Sequence, residues 1–212
     1  MKFCNSYQFL AFLVALLFSE MVSASPIVVK GAMPSIIVVG VDHRVQNFEP
    51  TCLTPEGKES AVEQRAALRA RLEELILQHQ PQLIGEEEEP GVGSIGKVLA
   101  DAHGLKYCTL SMPVEARLKV GIDKDYRKTL ETCRAAYEVF ESFMFEQIQS
   151  SRGDATSILA ICGSDHAERL ASLFAKAGLN ADVEDTYYAT WYRGWPIEEE
   201  AKVIRFDKER CR

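Results

Sequence analysis

Two histidines in this chain follow short apolar runs in nearly the same tetrapeptide. Residues 40–43 read GVDH after the run IIVV, and residues 163–166 read GSDH after the run LAIC. Between them, the apolar pair LI is followed by Gly85, Glu86 and Glu87. Imidazole nitrogens and carboxylate oxygens are the ligands of many divalent metal ions and the usual groups for acid–base catalysis. We therefore expect His43, Glu86 and His166 to bind a divalent metal ion.

The pattern predicts roles for the neighbouring carboxylates as well. Glu86 is nearest the apolar run and is our expected third ligand, while Glu87 is the expected general base for water. The two glutamates can exchange these roles, because the direction of side chains at a strand end is hard to predict. Asp42 and Asp165 precede the histidines, where they either cap the following turn or helix or orient an imidazole. Manganese, cobalt, zinc and iron all suit such ligands.

Alternating strand-like and helical patterns must position these residues. The alternation predicts an α/β fold with a mostly parallel central sheet flanked by helices. In an open parallel sheet the carboxyl ends of the strands share one edge, where ligands bind. The predicted strands are 35–41, 82–86, 105–110, 157–162 and 181–189, and the predicted helices are 60–79, 95–102, 114–150 with a break near Gly121, and a helical stripe over 166–177. Residues 48–58 are predicted to form a loop.

The ends of the chain suggest a targeting segment and a tail. Lys2 precedes the apolar run FLAFLVALLF, and small residues follow up to Ala24, which is typical of a signal peptide over residues 1–24. We therefore expect export to the periplasm or medium, with no stable membrane span after cleavage. Translation from Met33 would instead give a cytoplasmic protein. We expect a single domain over residues 33–190, and a tail over 191–212 that packs on the domain or forms a partner surface.

Charge and composition exclude some partners. The 212 residues carry a formal net charge of −7, which disfavours binding to nucleic acid. A small molecule or a peptide is the expected substrate. Residues 91–96 read GVGSIG, a dinucleotide-binding pattern, but the four glutamates of residues 86–89 precede it and would repel phosphates. We interpret these glycines as a mobile loop beside the site.

The two GxxH motifs and the glutamate pair resemble a known superfamily. It includes the TIKI and TraB proteins, erythromycin esterase and the ChaN-like haem-binding lipoproteins, and the similarity runs from about residue 36 to residue 183. The resemblance implies an α/β fold of the erythromycin esterase and ChaN type. For the TIKI branch it implies metal-dependent peptide hydrolysis that needs both histidines and a glutamate. Residues 112–117 resemble the segment that follows the third strand in members of this superfamily. The resemblance implies that Arg117 is a cation that lines the site.

A non-catalytic protein on the same fold is the alternative. It would be a metal or haem carrier, or an interaction module of the immunity type. The tail aromatics Trp191, Tyr192 and Trp195 would then form a partner surface, although packing across the sheet edge also accounts for them. A hydrolase should hold a stoichiometric divalent ion and lose turnover when a chelator is added. A haem carrier should show a Soret band. The binding of an interaction module to its partner should not change with a chelator.

Overall fold

Five short strands form one parallel sheet in the computed structural model of this protein. The strands are β1 (Ser35–Val41), β2 (Leu83–Glu86), β3 (Lys106–Thr109), β4 (Ser157–Gly163) and β5 (Asn180–Asp185), in the order β3-β2-β4-β1-β5. Every neighbouring pair is parallel. The structure describes residues 35–47, 55–88, 93–122, 130–186, 189, 190 and 192. The predicted parallel α/β fold is confirmed.

Six helices accompany the sheet within the described residues. They are α1 (His43–Asn47), α2 (Pro55–His79), α3 (Ile95–His103), α4 (Val114–Lys119), α5 (Leu130–Arg152) and α6 (Ser164–Lys176). One buried cluster joins one face of the sheet to α2 and α3, and a second joins the other face to α5 and α6. Alternate residues of β1 enter the two clusters, because successive side chains of a strand point to opposite faces.

The central strands are stabilised from both faces. Residues 36–41 of β1 and 158–163 of β4 are all buried. Full burial of an aliphatic side chain contributes about 1.5–3 kcal/mol, so β1 and β4 form the most strongly anchored part of the sheet. The largest members of the second cluster on the helices are Met144, Ile148, Leu170 and Phe174.

Several predicted boundaries differ from the structure, and one helix is additional. The short helix α1 was not predicted, and α2 begins at Pro55 rather than Ser60, so the prediction of a loop up to residue 58 is wrong in part. Proline is well tolerated in the first turn of a helix, where its missing N–H has no partner to lose. β5 ends at Asp185 rather than at residue 189, and α6 begins at Ser164.

The predicted break near Gly121 is present. α4 ends at Lys119, and Gly121 has a left-handed φ of 78°. Glycine adopts this conformation without steric cost, which explains why the helix stops there. The predicted signal peptide and nearly all of the predicted tail lie outside the described residues. No helix in the described part of the chain is long and apolar enough to cross a bilayer.

Candidate functional site

The predicted residues lie at the carboxyl ends of three neighbouring strands, at one edge of the sheet. After β1, the carbonyl of Asp42 accepts hydrogen bonds from the amides of Val45 and Gln46, which begins α1 and places His43 in its first turn. Gly163, the last residue of β4, directly precedes α6, and His166 lies in the first turn of that helix. The amide of Glu87, just beyond β2, donates to the carbonyl of Ile161 at 2.8 Å.

The carboxylate of Glu87 lies between the two imidazoles. Its Oε2 is 3.5 Å from Nε2 of His43, and its Oε1 is 3.9 Å from Nε2 of His166. The amide of Gly163 donates to Oε2 at 2.9 Å, which fixes the carboxylate against the backbone of β4. We call these three side chains, His43, Glu87 and His166, the His–Glu–His cluster. Each imidazole therefore directs the same ring nitrogen, Nε2, at one shared carboxylate.

The other ring nitrogen of each histidine has its own partner. Nδ1 of His43 is 3.1 Å from Oε1 of Gln46, and Nδ1 of His166 is 3.2 Å from Oε1 of Glu141. The second oxygen of Glu141 is 3.7 Å from Nη1 of Arg169. Gln46 and Glu141 are both buried. They belong to the site, although the sequence analysis did not identify them.

Glu86 is held by a different set of groups. Its side chain is fully buried, and its Oε1 accepts from Nε2 of Gln46 at 3.1 Å. The hydroxyl of Tyr107 donates to Oε2 at 3.4 Å. Burial raises the pKa of Glu86, and hydrogen bonds from Gln46 and from the amides of Gly96 and Lys97 oppose that rise. The structure thus places Glu87, rather than Glu86, against both imidazoles.

The position of Glu86 also accounts for the glycine-rich pattern. A Cβ on Gly96 would lie 2.8 Å from Oε2 of Glu86, so the carboxylate packs directly on the first turn of α3. Ser94 caps the same helix by accepting from the amide of Lys97 at 2.8 Å. The amides of Gly96 and Lys97 thus already donate to a buried carboxylate. Gly91 and Val92 of the pattern lie outside the described residues, so the mobile loop stays a prediction.

The remaining predicted residues are Asp42, Asp165 and Arg117. Asp42 is buried and accepts from the hydroxyl of Tyr192 at 2.8 Å. Asp165 lies in the first turn of α6. Arg117 lies in α4, and its Nε is buried with no hydrogen-bond partner among the described residues. None of the ion pairs in the described part of the chain joins Arg117 to the cluster.

The electrostatic surroundings favour a positive charge at His166. Burial lowers the pKa of this imidazole, but the charge of Glu87 and the hydrogen bond and charge of Glu141 outweigh it, so that the pKa is raised overall. The ring of Tyr137 packs edge-on against the imidazole, with 4.8 Å between the ring centroids. A buried imidazole next to two carboxylates is a site that attracts a cation, whether a proton or a metal ion.

Comparison with known proteins adds no further identification. No protein-family model, no curated protein and no solved structure matches the chain. The resemblance to the superfamily that includes TIKI proteins and erythromycin esterase therefore stays a prediction from the motifs. Within the described residues, no group of three or more His, Cys, Asp or Glu side chains is placed so that it could hold a metal ion.

Proposed function

We propose that the chain is a metal-dependent hydrolase of amide or ester bonds, and that the His–Glu–His cluster binds one divalent ion. The convergence of both Nε2 atoms on the carboxylate of Glu87 carries this proposal. Two imidazoles and a carboxylate at the carboxyl edge of a parallel sheet are a ligand set that zinc, manganese, cobalt and iron accept. The predicted ligand role of Glu86 passes to Glu87 in this proposal, because the carboxylate of Glu86 is bound to α3.

The distances within the cluster are longer than those of direct hydrogen bonds. Separations of 3.5 Å and 3.9 Å exceed the usual 2.7–3.2 Å between hydrogen-bonded nitrogen and oxygen atoms. Two ligands of one tetrahedral ion, with bonds of about 2.1 Å, are about 3.4 Å apart. Because the described side chains are not placed to hold an ion, the three side chains of the cluster would have to move towards one another when an ion binds.

The protein contributes position and proton transfer. A divalent ion held by His43, His166 and Glu87 would lower the pKa of water and polarise a carbonyl group. The amide of Gly163 donates to Oε2 of Glu87, while Oε1 lies beside His166. One oxygen of this carboxylate would bind the ion, and the other would accept a proton from water. His43 has 31 % of its side chain exposed, against 9 % for His166, so a substrate reaches the cluster from the side of His43.

Dependence of turnover on metal tests this proposal. We expect the purified full chain to hydrolyse members of a panel of chromogenic esters and fluorogenic peptides. A strong chelator should abolish this turnover, and adding back zinc, manganese or cobalt should restore it, because the ion activates the water. Turnover that a chelator does not change would contradict the metal requirement, and a Soret band in the purified protein would favour the haem carrier instead.

Gly163 offers a steric test of the site. A Cβ at this position would lie 2.6 Å from Nε2 of His43, far inside the contact distance. Its φ of −56° and ψ of 140° are open to alanine, so Gly163→Ala should fold while pushing the imidazole away from Glu87. We expect this variant to lose most metal affinity and turnover, measured by titration with zinc and by hydrolysis.

Gly93→Ala is the matched control for that variant. A Cβ at Gly93 meets nothing within 4 Å, so the substitution should leave metal affinity and turnover unchanged. Full metal affinity in Gly163→Ala would show that the position of the His43 imidazole does not matter for binding. That result would remove His43 from the proposed ligand set.

A further inference from the structure

We infer that Gln46 and Glu141 are positioning residues that place the proton of each cluster histidine on Nδ1. The Nε2 lone pair of each neutral imidazole is then directed at Glu87. A neutral imidazole carries one proton, and the hydrogen bond made by one ring nitrogen decides which nitrogen carries it. The metal-binding consequence rests on the proposed function, whereas the assignment of the protons does not.

The orientation of the Gln46 amide determines the proton position in His43. Nε2 of Gln46 donates to the carbonyl of Glu87 at 2.7 Å, and a carbonyl only accepts. The same nitrogen donates to Oε1 of Glu86 at 3.1 Å. Oε1 of Gln46 is therefore the atom that faces His43, and Nδ1 of that imidazole must be the donor.

Glu141 determines the proton position in His166 in a simpler way. An ionised carboxylate only accepts hydrogen bonds, so Nδ1 of His166 must donate to Oε1 of Glu141. Nη1 of Arg169 lies 3.7 Å from the second oxygen of Glu141, so this carboxylate contacts a cation as well as the imidazole. Two different elements, α1 and α5, thus impose the same tautomer on the two imidazoles.

The shared tautomer creates a site for a cation. Two lone pairs from nitrogen and the oxygens of Glu87 then face one another, and they repel unless a positive charge lies between them. Histidines that bind metal usually donate their other ring N–H to a carboxylate or carbonyl in this way. The hydrogen bonds of Gln46 and Glu141 thereby prepare the cluster for an ion before one arrives.

Nitrogen-15 NMR of the imidazoles in the metal-free full chain tests the assignment directly. At a pH where the imidazoles are neutral, we expect the proton on Nδ1 in both His43 and His166. His103 is an internal control that should show the opposite tautomer. Its Nε2 contacts the carboxylate of Glu73, so the proton must be on Nε2. A proton on Nε2 of either His43 or His166 in the unmodified chain would overturn the inference without any variant.

Variants separate the two positioning residues. Gln46→Met should move the proton to Nε2 in His43 alone, and Glu141→Met should do so in His166 alone. Each variant should also weaken binding of zinc by about 10- to 100-fold. The control for Gln46→Met is Gln64→Met, which removes a buried glutamine hydrogen-bonded to Ser60. The control for Glu141→Met is Glu138→Met, one turn earlier on α5. Both controls should leave the tautomers of His43 and His166 unchanged.

The outcomes distinguish this inference from the proposed function. Unchanged tautomers in Gln46→Met and Glu141→Met would overturn the inference, even if the chain binds zinc and hydrolyses esters. The predicted tautomers in a chain that binds no metal would support the inference and contradict the proposed function. Altered tautomers together with weaker zinc binding support both.

Discussion

Replacing either cluster histidine by alanine is expected to remove metal binding and nearly all turnover. Each substitution removes one of three ligands. Loss of a group that only hydrogen-bonds a ligand weakens metal affinity by up to about 100-fold, so loss of the ligand itself should weaken zinc affinity further. Turnover should fall to the background rate in both variants. Titration with zinc and hydrolysis of the best ester or peptide substrate measure the two effects.

His103→Ala is the matched control for these variants. His103 also contacts a glutamate, Glu73, but it lies at the end of α3, away from the sheet edge. Its loss should leave metal affinity and turnover unchanged. His166→Ala also empties space beside Tyr137, so its thermal unfolding must be measured beside that of His43→Ala. If both cluster variants stay folded and as active as the unmodified chain, the cluster is not catalytic.

Glu87→Gln is expected to reduce turnover by roughly 10²–10⁴-fold, because an amide cannot accept the proton of water. The substitution keeps the size of the side chain and an oxygen for the amide of Gly163. Metal content of this variant then separates its two possible contributions. Retained metal identifies Glu87 as the proton acceptor, and lost metal identifies it as the third ligand. Unchanged turnover would contradict both.

Glu86→Gln should behave in the opposite way. The carboxylate of Glu86 accepts from Gln46, from Tyr107 and from two amides of α3, so an amide there must direct its NH₂ group at a donor. An unsatisfied buried donor costs about 1–3 kcal/mol of stability. We expect a lower free energy of unfolding, measured with urea, and turnover close to normal in the folded protein. Lost metal binding with unchanged stability would return the ligand role to Glu86.

The arrangement of the sheet was open to prediction because its signals are local. The runs at residues 35–41 and 157–163 are rich in β-branched and apolar residues, and helical patterns separate them. Parallel strands of this kind place their carboxyl ends at one edge, which brought His43 and His166 together as expected. The helix start at Pro55 is not evident from the sequence, because the prolines and the glycine of residues 48–58 are typical of a loop.

The roles of Glu86 and Glu87 needed the three-dimensional structure. Adjacent residues at a strand end point to opposite faces, so one glutamate faces α3 and the other faces the histidines. The pairing of β2 with β4 decides which of the two glutamates faces the histidines. In this pairing the amide of Glu87 donates to the carbonyl of Ile161. The pattern of the sequence contains no information on that pairing.

The two positioning residues differ in how visible they were. Glu141 falls on the buried stripe of α5 with Tyr137, Met144 and Ile148, and a glutamate at such a position signals a buried polar partner. Gln46 follows His43 by three residues, a spacing that only becomes meaningful once α1 is known to be a helix. The role of Arg117 at the site stays a prediction, since no ion pair among the described residues joins it to the cluster.

The metal content of the unmodified protein tests the central claim most directly. The full chain is purified without added metal, analysed for its elements, and then titrated with zinc, manganese and cobalt. We predict about one divalent ion per chain, bound at purification or taken up in the titration, and none in His43→Ala. A folded chain that contains no ion and takes up none of the three metals would contradict the account.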